Sequence, residues 1–211
     1  MTMSEFEPNR TILVLKVTQT SEHFLKIDHL CSMIGLANAL FRFSPKKSHP
    51  NKPEIFDTAD ILLDLSSSTK TKFIKDYQPI KKRTNIGIHY KQLLYASKFS
   101  QFLTQNATHV PDPHELYSLV TRSLDAFENG YAPEIISLKA FYNFLKTEGF
   151  PVRATWLTLL PKEQQSQARN LLQTPLDQLN NSPQSDALAQ DLLNHLSQWI
   201  EKETDFKPVS F

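Results

Sequence analysis

The stretch HFLKIDHL, His23–Leu30, alternates in period two. Phe24, Lys26, Asp28 and Leu30 fall on one side, and His23, Leu25, Ile27 and His29 on the other. This is the pattern of a sheet strand with one face toward a core. Upstream, TILVLKV (Thr11–Val17) is rich in β-branched residues, and the polar TQTSE separates the two segments. Downstream, GLANALFRF (Gly35–Phe43), EIFDTADILLDL (Glu54–Leu65) and KFIKDYQPI (Lys72–Ile80) read as three further strands. Between the third and fourth lie Pro45, Pro50 and Pro53, interleaved with Lys46, Lys47, His49 and Lys52. Each proline lacks a backbone donor and has a fixed φ, so this segment reads as an exposed basic loop. SSSTKT forms the next loop. Five short strands within ~70 residues, with no helical pattern between them, predict a small antiparallel barrel, for which the five-stranded Greek-key OB-fold is the familiar solution.

The second half changes period. YKQLLYASKFSQFLTQN (Tyr90–Asn106) carries apolar residues at helical spacing. Asp112, Pro113 and Glu115 supply an N-cap acid, a first-turn proline and a capping-box glutamate. Gly130 marks the end of that helix. Pro133 opens another, closed by Gly149 in a Schellman motif. A further helix is expected near Pro161, then a linker at NNSPQS (Asn180–Ser185), then an amphipathic helix over Asp186–Glu203. The expectation is an α+β chain: an OB-fold barrel over 1–85 and a helical domain over 86–211.

Composition narrows the function classes. The chain has 211 residues, 40% hydrophobic and 21% charged, ordinary values for a folded protein. Only 4 glycines occur, which disfavours Gly-rich phosphate loops. No apolar run approaches the ~20 residues of a membrane span. MTMSEFEPNR lacks a secretion pattern. With Cys31 the single cysteine, the expected compartment is the cytoplasm. Net charge is +1, unevenly spread: residues 1–87 hold 13 Lys/Arg and 9 Asp/Glu, the remainder 10 and 13.

No nucleophile elbow, zincin, Walker or dinucleotide motif is present, so no enzyme is expected. His23 and His29, six apart on one strand, stand ~20 Å apart, too far for a shared metal, and read as surface or rim residues. Asp57, Asp60 and Asp64 read as strand residues, alternate ones facing water. Cys31 reads as a buried thiol. No metal or cofactor is expected. The positive signal is basic: Arg42, Lys46, Lys47 and Lys52 around the proline loop, Lys70, Lys72 and Lys75 around the next, and Lys81, Lys82 and Arg83 after the fifth strand. Phe41, Phe43, Phe56, Phe73 and Tyr77 are interleaved with them. Cations bind phosphates and exposed rings stack on bases, the combination used for single strands. The competing reading is a solvated rim over core phenylalanines.

A barrel with basic loops followed by these helices resembles the bacterial recombination mediator family RecO. The likeness rests on Tyr90 with Ala96 opening the helical domain, on Asp112–Leu119, and on the helix ending Phe141–Pro151, and it spans roughly residues 10–155. Many members carry four zinc-binding cysteines after that turn; here VRATWLTLLP follows, so the resemblance is to the zinc-less members. From about Thr155 the likeness fades, and FSPKKSHPNKP replaces a Gly-Arg run. The resemblance implies no bond breaking. It implies binding of single- and double-stranded DNA, strand annealing, and loading of a recombinase, with a RecR-type partner, onto DNA coated by single-stranded DNA-binding protein. The DNA surface it implies is Arg42, Lys46, Lys47, Lys52, Lys70, Lys72, Lys81, Lys82 and Arg83. A helical-domain pocket for the coating protein's tail would use Arg122, Lys139, Tyr142 and Phe150. The alternative is a protein-interaction adaptor of the same architecture that binds no DNA.

Overall fold

The computed structural model describes residues 10–44, 51–64, 72–179 and 182–211. Five strands form a closed barrel: β1 (Arg10–Ser21), β2 (Phe24–Cys31), β3 (Gly35–Arg42), β4 (Thr58–Asp64) and β5 (Lys72–Lys81). The order around the barrel is β1-β2-β3-β5-β4, so the OB-type reading holds. All neighbouring pairs are antiparallel except β3 with β5, which run parallel through Ala39↔Lys72 to Phe41↔Ile74. Closure depends on β1. Its first residues pair with β4 (Arg10↔Ile61 to Leu13↔Thr58), and Ile12 onward pair with β2. Register shifts at Val14/Lys16 and Gln19/Ser21 accompany this double pairing, since a bulge bends a strand and increases its twist.

The alternation of β2 is realised: Leu25 and Ile27 point into a core shared with Ile12, Val14, Ile61 and Ile74. His29 departs from expectation. It is 2% exposed, with Nδ1 3.3 Å from the Ile27 carbonyl, and burial lowers its pKa. Cys31 is buried, as its residue type suggests.

The fourth strand starts at Thr58, four residues later than its composition suggests. Glu54–Asp57 instead forms a turn. Phe56 takes φ 71°, unusual for a bulky residue. The Phe56 N–H donates to the Val14 carbonyl and the Val14 N–H to the Asp57 carbonyl, both at 2.8 Å. The turn is thereby hooked onto β1 beside its first bulge. Phe56 is 1% exposed, and Asp57, expected on a strand, is buried. The Asp57 carboxylate accepts from the Glu54 N–H (3.1 Å) and from the Tyr77 hydroxyl (2.8 Å).

The chain divides into two compact units, Met1–Arg83 with Ala107–Tyr117, and Thr84–Asn106 with Ser118–Phe211. The helices are α1 (Thr84–Ile88), α2 (Tyr90–Asn106), α3 (Pro113–Glu128), α4 (Pro133–Thr147), α5 (Trp156–Leu159), α6 (Lys162–Gln173) and α7 (Pro183–Glu203). The caps behave as their residue types require. Asp112 Oδ1 accepts the Glu115 N–H at 2.9 Å. At the end of α4, Phe150 N–H donates to Leu145 O and Gly149 N–H to Lys146 O, with Gly149 at φ +85°. The last helix begins at Pro183 rather than Asp186, because Ser182 Oγ accepts the Ser185 N–H and Pro183 suits a first helical turn. Buried residues run all round α4, which packs against both α2 and α7. No helix among the described residues is long and apolar enough to cross a membrane.

Arg83 is the structural surprise of the barrel. It is 4% exposed, and its Nη1 donates to the Phe56 carbonyl (2.6 Å) and the Thr58 hydroxyl (3.0 Å). Arg83 thus ties the turn through Phe56 and Thr58, as Asp57 does through Glu54 and Tyr77. Charge-assisted bonds of this kind contribute about 1.5–3 kcal/mol. Arg83→Ala is therefore expected to lower the unfolding free energy by about that amount in urea titrations, through the buried carbonyl left unpaired. An unchanged midpoint would show that the turn holds without Arg83.

Candidate functional site

Four strand ends converge around one groove. Phe24 opens β2 opposite Arg42 at the end of β3; Phe41 faces Ile74 across the parallel pair; Asp64, ending β4, faces Phe73. Together with Asn51, Lys75, Asp76 and Tyr77 these residues line a cavity of about 640 Å³. Its aromatic members are arranged in two edge-to-face pairs, Phe24 with Phe73 (centroids 6.0 Å apart) and Phe41 with Tyr77 (6.1 Å). Phe24, Phe41 and Phe73 are half-buried, leaving ring surface toward the groove.

The floor is held by buried chemistry. Tyr77 is almost fully buried, and its hydroxyl is tied to Asp57 beneath it. Burial pushes the Asp57 carboxyl above its ordinary range, against the hydrogen bonds from Tyr77 and the Glu54 amide. Burial and the neighbouring Asp57 charge likewise raise the Tyr77 phenol.

Of the nine basic residues expected at DNA, three, Lys46, Lys47 and Lys70, lie outside the described residues. The other six do not gather. Arg42 is exposed on the groove, Lys72 starts β5, and the exposed Lys52 places Nζ 5.2 Å from the Phe43 ring centroid. Lys81 and Lys82 lie at the far end of β5, ~30 Å from Lys72 at the rise of a strand. Lys82 pairs with Glu54 at 3.2 Å. Arg83 is corrected from a surface contact to an internal brace, because its guanidinium satisfies carbonyl and hydroxyl oxygens of the Phe56–Thr58 turn. Lys75 joins the groove, 3.5 Å from Asp64. The lining thus holds two cations, Arg42 and Lys75, and two carboxylates, Asp64 and Asp76, so its distinguishing chemistry is aromatic.

Sequence reasoning misses Phe24 as a site residue. The signal for it is its place on the polar side of β2, in line with Lys26 and Asp28: a ring on an outward face has no core to fill.

The four residues expected to form a peptide pocket are not brought together. Arg122 and Lys139 share a small cleft of about 170 Å³ with Leu119, Ser123 and Ile136. Lys139 Nζ donates to the carbonyls of Thr174 (2.6 Å) and Leu172 (3.2 Å) at the end of α6. Its charge serves as a helix cap, and burial lowers its pKa. Tyr142 packs instead on Trp156, and Phe150 on Trp199 and Phe206. Neither ring lines the cleft. Among the described residues no group of three or more His, Cys, Asp or Glu side chains is placed to hold a metal ion.

No protein-family model matches the chain, and no curated protein matches it.

The buried carboxyl beneath the groove has a pH signature. A carboxyl whose folded pKa is raised adds stability below its unfolded pKa of ~3.9, and that contribution is lost as pH rises through the folded value. The stability of the wild type relative to Asp57→Asn should therefore decline between about pH 3 and pH 7. Urea titrations of both proteins across that range measure it. A difference that grows with pH would mean that the Tyr77 and Glu54 hydrogen bonds outweigh burial.

Proposed function

We propose that the barrel binds single-stranded nucleic acid in the groove between the ends of β2, β3, β4 and β5. The observation that carries this reading is the gathering of the half-buried Phe24, Phe41 and Phe73 around an open groove floored by Tyr77, with Arg42 at its edge. Ring faces stack on bases of any sequence, and a cation beside them meets the phosphates. The barrel type supports it as well, since OB-folds present such a surface to oligonucleotides.

In its finer form the reading is a RecO-type recombination mediator. It would bind single- and double-stranded DNA, anneal strands, and assist recombinase loading with a RecR-type partner and the tail of single-stranded DNA-binding protein. No catalytic step is involved. This form draws on the resemblance at Tyr90–Ala96, Asp112–Leu119 and Phe141–Pro151.

One observation favours the adaptor reading. Several barrel cations are already engaged: Lys26 with Asp28 at 3.0 Å, Lys75 with Asp64, Lys82 with Glu54, and Arg83 inside the turn. A barrel whose charge is spent internally has less to offer phosphates.

Titration of a labelled oligothymidine by fluorescence anisotropy at two salt concentrations separates the two. Under the nucleic-acid reading, Phe24→Ala and Phe73→Ala each weaken binding by ~1–3 kcal/mol, the worth of a stacked base. Arg42→Ala weakens it and flattens the log–log salt slope by ~0.7. No binding by the wild type at low salt would sink this reading and leave the adaptor.

A further inference from the structure

In the second unit, the segment Thr204–Phe211 follows α7 with no helix or strand of its own. It nevertheless has a defined seat. Phe206 packs edge-on against Phe102 and Phe150 (centroids 5.8 and 5.2 Å) and tilts against Phe144 (5.7 Å). Phe211 stacks on Tyr95 (5.6 Å) and meets Phe141 edge-on (5.2 Å), with Lys98 Nζ 5.1 Å from its ring centroid. Val209, 8% exposed, is buried between them, while Asp205, Lys207, Pro208 and Ser210 face solvent. Three side chains point in and the intervening ones point out.

The backbone is read too. The Lys207 N–H donates to Asn106 Oδ1 at 2.8 Å, and Asn106 Nδ2 donates to the Lys207 carbonyl at 3.1 Å. One amide side chain at the end of α2 thus pairs both polar groups of a single residue. The same Nδ2 reaches the Phe102 carbonyl at 2.9 Å, which holds the amide in place from within its own helix. Apolar pockets for spaced anchors, with one fixed hydrogen-bonding clamp on the main chain, are how domains read short extended peptides. A segment that served only to cover the helices would need the anchors but not the clamp.

We propose that this seat, built by α2, α4 and Phe150, is a recognition site for an extended partner peptide, and that Thr204–Phe211 occupies it in cis as a competitor. The chemistry of the partner is that of the occupant: two aromatic anchors five residues apart, a small aliphatic side chain between them, and polar residues elsewhere. An anion following the second anchor would be favoured by Lys98. The site is distinct from the Arg122–Lys139 cleft, and it does not depend on nucleic-acid binding by the barrel.

The segment is exchangeable on physical grounds. No ladder holds it, and its anchors are half-buried rather than sealed in a core. A cis ligand acts at an effective concentration in the millimolar range, so it masks the site without abolishing access.

The test uses the full chain and a fluorescein-labelled synthetic peptide with the sequence Thr204–Phe211, read by anisotropy. The Phe206→Ala/Phe211→Ala chain should bind the peptide about tenfold more tightly than the wild type, whose own segment competes. A peptide with both phenylalanines changed to alanine should not bind. Adding Asn106→Ala to the double variant should weaken binding about tenfold, the worth of two backbone hydrogen bonds. A folded double variant that ignores the peptide overturns the proposal. Should that variant not fold, hydrogen exchange in the wild type decides. The Lys207 amide is expected to exchange by local opening, well ahead of the α4 amides. Exchange of Lys207 only with global unfolding makes the segment part of the core and overturns the proposal. A wild-type dimer that the double variant abolishes would assign the seat to a second copy of this chain, which overturns the partner reading.

Discussion

A five-stranded sheet becomes a barrel only when its first and last strands pair, and here that closing pair is β1 with β4. β1 serves β4 with its first residues and β2 with the rest, and its register shifts at Val14/Lys16 and Gln19/Ser21 accompany the bend this requires. The first shift is also where the turn before β4 attaches, through the reciprocal backbone bonds of Val14 with Phe56 and Asp57. With the barrel closed, the ends of β2, β3, β4 and β5 are brought to one place, and the aromatic groove follows. Phe24, Phe41 and Tyr77 lie on the successive strands β2, β3 and β5 of that barrel.

Two buried polar groups, Asp57 and Arg83, secure this arrangement. Asp57 ties the Tyr77 ring in the groove to the turn, and Arg83 ties the same turn to the end of β5. Each is costly to bury alone and acceptable only because its partners are present. The floor of the groove is thus held by buried hydrogen bonds; under the proposed nucleic-acid reading, rings packed on such a floor lose little freedom when a base settles on them.

The helical unit shows the same economy with its cations. Lys139 completes the end of α6, and Lys91 meets the buried Glu134 at 3.0 Å. Its unusual feature is the aromatic seam of Phe102, Phe141, Phe144 and Phe150, which a segment outside any helix or strand covers. A seam made of rings accepts other rings in several edge and stacked geometries at similar energy, which suits an exchangeable occupant.

The sequence by itself determined the elements. The period-two run of β2, the Asp112 cap and the Gly149 turn are local codes, each written within a few residues, and each appears where its pattern places it. The architecture was legible too, because strands without intervening helices have few ways to close. What the tertiary structure alone decided is which charged and aromatic side chains are available. Arg83 reads as one more lysine-like surface charge until its carbonyl partner, 27 residues away, is in position. Lys139 reads as a free cation until Thr174, 35 residues away, arrives. Phe24 becomes a groove residue only when β5 lies beside β3. Local propensity acts between neighbours along the chain, whereas burial and pairing of a side chain depend on atoms that only the folded backbone brings within hydrogen-bonding reach.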